Sequence, residues 1–183
     1  MKYIPVALLL LLGSTAMAQQ PDTYVSTPAL HIDSDTQRAL YKGSVPVAAT
    51  SQENLYSRAQ DWLTQATRTH TLSTRTNSAE AGFIKTHVLL RDGQEMYSFL
   101  LSLQAQENGY RYRLEDVVYS QPHFARAGKH SAGPLQIPAE TLLRGQSTAT
   151  QRKQLAKIDA RLQSFLQELN TKMQRKPEGL ALR

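Results

Sequence analysis

Residues 83–120 read FIKTHVLLRDGQEMYSFLLSLQAQENGYRYRLEDVVYS and contain three strand-like segments separated by two turn signals. Asp92-Gly93 and Asn108-Gly109 are dipeptides that type I′ hairpin turns favour, because such turns need positive φ at both central positions. Apolar and polar residues alternate along much of each segment, which is typical of half-buried strands. The predicted strands of this antiparallel meander are 83–90, 95–106 and 110–120.

The two turns also predict the pairing of the strands, because the loop of a hairpin determines its register. Both turns place the same side chains of the middle strand on one apolar face. Asp116 is the exception on this face, opposite Leu101, and we expect it to be capped or solvated. The predicted pairs are Val88 with Tyr97, Thr86 with Phe99 and Ile84 with Leu101, then Leu103 with Leu114, Phe99 with Val118 and Ala105 with Tyr112.

The opposite face of the meander mixes cationic and large apolar side chains. Apolar patches rimmed by charge often mark interaction surfaces, and Arg and Tyr are enriched there. We therefore expect a partner to bind this face, unless the loop from Gln121 to Gln136 folds over it and buries it. The candidate residues are Phe83, Lys85, His87, Met96, Leu100, Arg111, Arg113 and Tyr119.

The segments outside the meander add helices and two further strands. Thr50 and Glu53 form a capping-box pattern before an apolar helical stripe, and a second stripe lies near the carboxyl end of the chain. The additional predicted elements are a strand at 41–48, a helix at about 51–67, a strand at 69–76, a short helix at 138–144 and a long helix from about 148 to 173.

Together these segments predict an α+β fold, an antiparallel sheet of about five strands with helices packed on one face. Trp62, Leu63 and Phe165 lie on the helical stripes, and we expect them to be buried against the sheet. The long basic helix has two alternatives to packing on its own sheet. It could lie on an anionic membrane, or it could pair with a copy of itself.

One stretch before the meander, VPVAATSQENLYSRAQDWL at 45–63, and the segment YRYRLEDVVYS at 110–120 resemble an exported bacterial family. This family is the domain of unknown function numbered 4468, which has a TBP-like fold. The resemblance covers roughly residues 40–120 and implies the order strand, helix, four strands, helix. It brings no catalytic residues and implies a secreted or periplasmic location. The most family-like residues are Val45, Pro46, Val47, Leu55, Tyr56, Ala59, Trp62, Tyr110, Arg111 and Arg113.

The first eighteen residues have the three parts of a secretory signal peptide. Lys2 precedes an apolar run, and Ala16-Met17-Ala18 matches the small-residue pattern of a cleavage site. The run is shorter than the about 20 residues that a membrane-spanning helix needs. We therefore predict an exported protein, periplasmic or secreted, without a membrane span. The predicted divisions are a signal peptide at 1–18, a flexible lead-in at 19–36, a single domain at 37–176 and a tail at 177–183.

Charge and cysteine content exclude several classes of function. The 183-residue chain has a formal net charge of +6 and no cysteine, which removes disulfides, thiolate metal sites and cysteine nucleophiles. Residues 19–143 hold 11 basic and 12 acidic residues, whereas residues 144–183 hold 9 and 3. A nucleic-acid-binding domain carries its basic footprint on a face of its fold. This distribution and the predicted export argue against nucleic acid as the partner.

The polar residues of the mixed face suggest one enzymatic alternative. The predicted register places His87 beside Ser98, with Tyr119 opposite Ser98, and a Ser–His pair is a feature of some hydrolases. However, no carboxylate orients His87, and no Gly-x-Ser-x-Gly elbow is present. We therefore expect a non-enzymatic binding module without cofactor or metal, whose partner is an unknown protein or envelope component. A small hydrolase built around the His87–Ser98 row is the alternative.

Overall fold

The structure is a computed structural model that describes residues 30–67, 70–121, 135–145 and 148–175, with only the backbone of residues 74 and 75. These described residues form seven strands and three helices. In chain order they are β1 His31–Ile32, β2 Ala39–Pro46, α1 Gln52–Ala66, β3 Thr71–Ser78, β4 Phe83–Asp92, β5 Glu95–Gln106, β6 Gly109–Gln121, β7 Leu135–Pro138, α2 Ala139–Arg144 and α3 Ala149–Gln174.

The strands form one antiparallel sheet in the order β1-β2-β6-β5-β4-β3, and β7 also pairs with β6. The predicted α+β class and the meander are confirmed. The sheet is larger than predicted because two short strands, β1 and β7, extend it. Strand β1 lies inside the segment 19–36 that was predicted as a lead-in, so strand pairing begins before residue 37.

Both predicted hairpin registers are wrong by two residues. Val88 lies opposite Phe99 rather than Tyr97, and Leu103 lies opposite Tyr112 rather than Leu114. The loop residues are 93–94 and 107–108, with positive φ at Gly93 and at Asn108 but not at their loop neighbours. Side chains alternate between faces with a period of two, so a two-residue shift keeps each side chain on its predicted face.

A β-bulge at Asp116 interrupts this alternation in β6. The backbone of Asp116 has a φ of 52°, and the pairing with β5 shifts by one residue beside it. Beyond the bulge, Val117 and Tyr119 therefore turn to the helical side of the sheet. Asp116 is not opposite Leu101 as predicted. Its side chain is solvated as expected, at 45% exposed, and it forms an ion pair with Arg38.

The helices cover one face of the sheet, as predicted, and aromatic side chains fill the space between the two layers. The ring centroid of Phe165 on α3 lies 5.1 Å from that of Trp62 on α1 and 5.1 Å from that of Phe99 on β5. Trp62, Leu63 and Phe165 are all buried, which confirms the expectation for these residues. The cap of α1 differs from the prediction: Ser51 rather than Thr50 accepts the hydrogen bond from the Asn54 backbone N–H.

Tyrosine hydroxyls at the rim of the core bind polar side chains of α3. The Tyr41 hydroxyl donates to Asp159 Oδ1, and the Tyr110 hydroxyl lies 3.4 Å from Asn170 Oδ1. Burial and the neighbouring carboxylate raise the pKa of Tyr41, which keeps its hydroxyl protonated as a donor. These contacts hold α3 on its own sheet, which is the predicted arrangement rather than either of its two alternatives. Of the helices described, none has the length and apolar character needed to cross a membrane.

Candidate functional site

The sheet face that points away from the helices, called here the open face, carries the predicted partner-binding residues. Strand pairing aligns its side chains in rows that cross four strands. Within the described residues, α1, α2 and α3 all contribute to the core on the other side. The first row is Phe83, Gln104, Arg111 and Ser44, and the second is Lys85, Ser102, Arg113 and Lys42.

A shallow groove of about 390 Å³ lies over these two rows. Its open-face lining combines short polar side chains with longer cationic ones and the ring of one aromatic residue. Because Ser102 and Ser44 are short, the longer side chains of Phe83 and Arg113 rise above the sheet beside them. The open-face residues that line the groove are Lys42, Ser44, Phe83, Ser102, Gln104, Arg111 and Arg113.

The groove has an unbalanced positive charge. Arg113 Nε lies 2.6 Å from Glu115 Oε1, so one cation of the two rows is paired. The three remaining cations form no ion pair with any carboxylate in the described residues. Those three are Lys42, Lys85 and Arg111; Lys42 and Arg111 are exposed and Lys85 is half-buried. The two rows thus hold four cations, and Glu115, in the next row opposite Leu100, pairs with one of them.

Seven of the eight predicted residues lie on the open face, and one does not. Arg111 is exposed, whereas Leu100 is only 6% exposed. Tyr119 is 1% exposed and lies on the core side, because the bulge at Asp116 reverses the alternation before it. The other five, which are half-buried, are Phe83, Lys85, His87, Met96 and Arg113.

The predicted contact between His87 and Ser98 is wrong. His87 lies opposite Leu100, and Ser98 lies between Leu89 and Val118 on the adjacent strands. The Cα atoms of such diagonal positions are about 7–8 Å apart, and in the described residues no hydrogen bond joins the two side chains. In the described part of the chain, no group of three residues is arranged to hold a metal ion. The hydrolase alternative therefore loses the geometry on which it rested.

Four open-face groove residues were not in the predicted set, namely Ser102 and Gln104 on β5 and Lys42 and Ser44 on β2. Lys42 and Ser44 reach the groove because β2 pairs with β6 and lies inside the sheet rather than at its edge. The signal was present in the sequence, since the polar residues at 42 and 44 alternate with Tyr41 and Val45. The pattern predicts the side of β2 on which they lie, but it does not say which strand is the neighbour.

A second polar cluster surrounds Glu95 where β5 meets α3. Its carboxylate accepts hydrogen bonds from the Tyr97 hydroxyl at 3.0 Å, the Tyr119 hydroxyl at 2.7 Å and Lys157 Nζ at 2.5 Å. These donors, led by Lys157, hold the pKa of Glu95 below its ordinary value. Because three donors of the chain itself bind this carboxylate, the cluster connects α3 to the sheet and offers little to a ligand.

The antiparallel sheet, with the described helices packed on one side, defines an α+β protein of TBP-like fold. A crystal structure of a TBP-like protein from Parabacteroides distasonis superimposes with a TM-score of 0.59 at 11% identity, covering 75% of this chain and 94% of that chain. A DUF4468 family protein from Bacteroides ovatus superimposes with a TM-score of 0.54 at 9% identity, covering 78% and 90%. At these identities the likeness shows the fold alone.

A family resemblance follows from the sequence match. The model described as domain of unknown function (DUF4468) with TBP-like fold matches residues 41–120, from β2 to the end of β6. Residues 41–120 are therefore similar to the DUF4468 family, whose function is unknown. No curated protein matches the chain significantly.

Proposed function

We propose that this protein is a non-enzymatic binding module, exported by its amino-terminal signal peptide, that engages a partner through the open face. The single observation that carries this proposal is the groove beside three cations without a carboxylate partner, Lys42, Lys85 and Arg111. Cations held close together repel one another, and a bound anionic partner would relieve that repulsion.

The shape and the residue content of the groove support binding rather than catalysis. The groove is shallow, and its donors are Lys, Arg, Ser and Gln side chains on rigid strands. These groups can recognise an anion, but none of them is placed beside a general base. Among the described residues, a side chain hydrogen-bonds to His87 only at its backbone carbonyl, which accepts from the Thr86 hydroxyl, so none orients its imidazole.

The test of binding is capture from an envelope extract by immobilised protein. Wild type is compared with a Lys42→Gln/Arg111→Gln variant and with an Arg152→Gln/Lys153→Gln variant. The second pair removes the same two types of charge from the exposed back of α3. We expect a partner that wild type and the α3 variant retain and the groove variant loses. Equal capture by all three proteins would refute the open face as the binding surface.

Export has its own test, which does not depend on the groove. The apolar run before Ala16-Met17-Ala18 supports cleavage near Gln19. Mass spectrometry of the protein from fractionated cells should find a mature chain that lacks residues 1–18, outside the cytoplasm. A full-length protein in the cytoplasmic fraction would contradict this part of the proposal.

A further inference from the structure

We infer that the groove binds an extended, acidic segment of another protein, in which carboxylate side chains occur at alternate positions. This inference rests on the proposed function and adds the chemistry of the partner.

The spacing of the cations matches an extended chain. Arg111 and Arg113 are two residues apart on β6 and point to the same face, so their Cα atoms are about 6.8 Å apart. Alternate residues of any extended peptide have this same spacing. A peptide lying along β6 therefore places the side chains at positions i and i+2 over the two arginines. Lys42, opposite Arg113, adds a cation at the same level.

The segments outside the described residues are poor in acidic residues. Residues 122–134, which follow β6 in sequence, contain no Asp or Glu and include Arg126 and Lys129. Residues 19–29 contain one acidic residue, Asp22, and residues 176–183 contain one, Glu178. None of these segments has two carboxylates at alternate positions. Charge complementarity therefore points to a different molecule.

The groups between the cations suit a polypeptide better than a lone small anion. The exposed lining of the groove is mostly apolar, with the Phe83 ring at its side. The Ser44 and Ser102 hydroxyls can exchange hydrogen bonds with the backbone amides of a bound segment. An isolated small anion would occupy one arginine and leave these groups without a role. An extended chain can contact both arginines, the two serines and the ring together.

The spacing can be tested with two labelled synthetic peptides of identical composition. One has glutamate and valine in alternation, and the other has the glutamates in one block followed by the valines. Binding is measured by fluorescence anisotropy at low and at high salt. Two matched exposed ion pairs together predict an alternating peptide that binds about two- to thirtyfold more tightly. High salt should weaken both peptides.

The variants identify the residues responsible. Arg111→Gln should remove the preference for the alternating peptide, and Lys42→Gln should lower the affinity for both peptides. Arg152→Gln on α3 should change neither affinity. Arg111 and Lys42 are exposed, so equal melting temperatures are expected and confirm that the variants fold.

The outcomes separate this inference from the proposed function. Equal affinity for the two peptides would refute the match between the arginine spacing and carboxylates at alternate positions. Envelope capture that depends on Lys42 and Arg111 would still support the proposed function. Binding of inorganic phosphate or of a sulfated polysaccharide, but of neither peptide, would refute a protein partner. Peptide binding that Arg111→Gln and Lys42→Gln leave unchanged would place the site elsewhere and refute both.

Discussion

Replacing Phe165 by alanine is the sharpest test of how α3 is attached to the sheet. Phe165 is 1% exposed, and its ring lies within 5.1 Å of two other aromatic rings and 6.1 Å from the His70 ring, measured between centroids. Truncating a buried Phe to Ala costs about 3–5 kcal/mol, from lost burial and from the cavity that remains. The free energy of unfolding of a domain of this size is about 5–15 kcal/mol. Phe165→Ala should therefore lose a large part of the free energy of unfolding.

Two further substitutions separate the contributions. Phe165→Leu keeps most of the buried volume and removes the ring contacts, which are worth about 0.5–1.5 kcal/mol per aromatic pair. The free energy of unfolding of Phe165→Leu should lie between those of wild type and Phe165→Ala. Gln167→Ala changes an exposed residue on the same helix. Its free energy of unfolding should stay within about 0.5 kcal/mol of the wild-type value.

The measurement is urea denaturation followed by circular dichroism, with the slope and the midpoint fitted separately. An unchanged slope shows that the same surface is exposed on unfolding, so that the midpoint shift reports stability. A loss of less than about 1 kcal/mol for Phe165→Ala would refute the packing of α3 on the sheet. In that case the helix would be available for a membrane or for a second copy of the chain.

Three further predictions concern single sites. Because folding lowers the pKa of Glu95, its ionised carboxylate stabilises the fold at pH values above the ordinary pKa of about 4.5. This stabilisation is lost as the pH falls through the lowered pKa. In thermal melts between about pH 6 and pH 3, Glu95→Gln should therefore lose less stability than wild type. Asp116→Val should destabilise by about 1–3 kcal/mol relative to Asp116→Asn in denaturant titrations, because a β-branched residue is strained at a φ of 52°. Gly43→Ala should cost about 1–3 kcal/mol, since its new Cβ would collide with the Tyr112 ring, and a double-mutant cycle with Tyr112→Leu should show a smaller cost. If the two substitutions lower the free energy of unfolding by amounts that simply add, the predicted collision between the new Cβ and the Tyr112 ring is contradicted.

The side-chain pattern predicted the faces of the sheet better than the pairing of its strands. The faces of β4 and β5 follow from alternation, which a two-residue register shift leaves intact. The pairing depends on which dipeptide occupies the loop, and Asp92 and Gly109 both remain in strands. A type I′ turn needs positive φ at two residues, whereas each loop here has it at one.

The misplacement of Tyr119 follows from a change of phase within β6. The buried apolar residues of β6 are even-numbered up to Leu114 and odd-numbered from Val117 onward, whereas the sequence is apolar at all three positions 117–119. A change of phase within a single strand indicates a bulge, and Asp116 lies where the phase changes. The approach of β2 to the groove has no comparable local signal. Its partner strand is distant in sequence, and the choice of neighbour depends on the assembly of the whole sheet.

The way in which β2 joins the sheet has a consequence for the order of folding. Strands β3 to β6 pair with their neighbours in sequence, so their contacts close short loops. Strand β2 pairs with β6 only after the intervening chain has been brought back, with Tyr41 opposite Leu114. Long loop closures carry an entropic cost and form late when local contacts are available. Substitutions in β2 should therefore accelerate unfolding and leave the refolding rate nearly unchanged. The three cations on β4 and β6 should be ordered before Lys42 joins them.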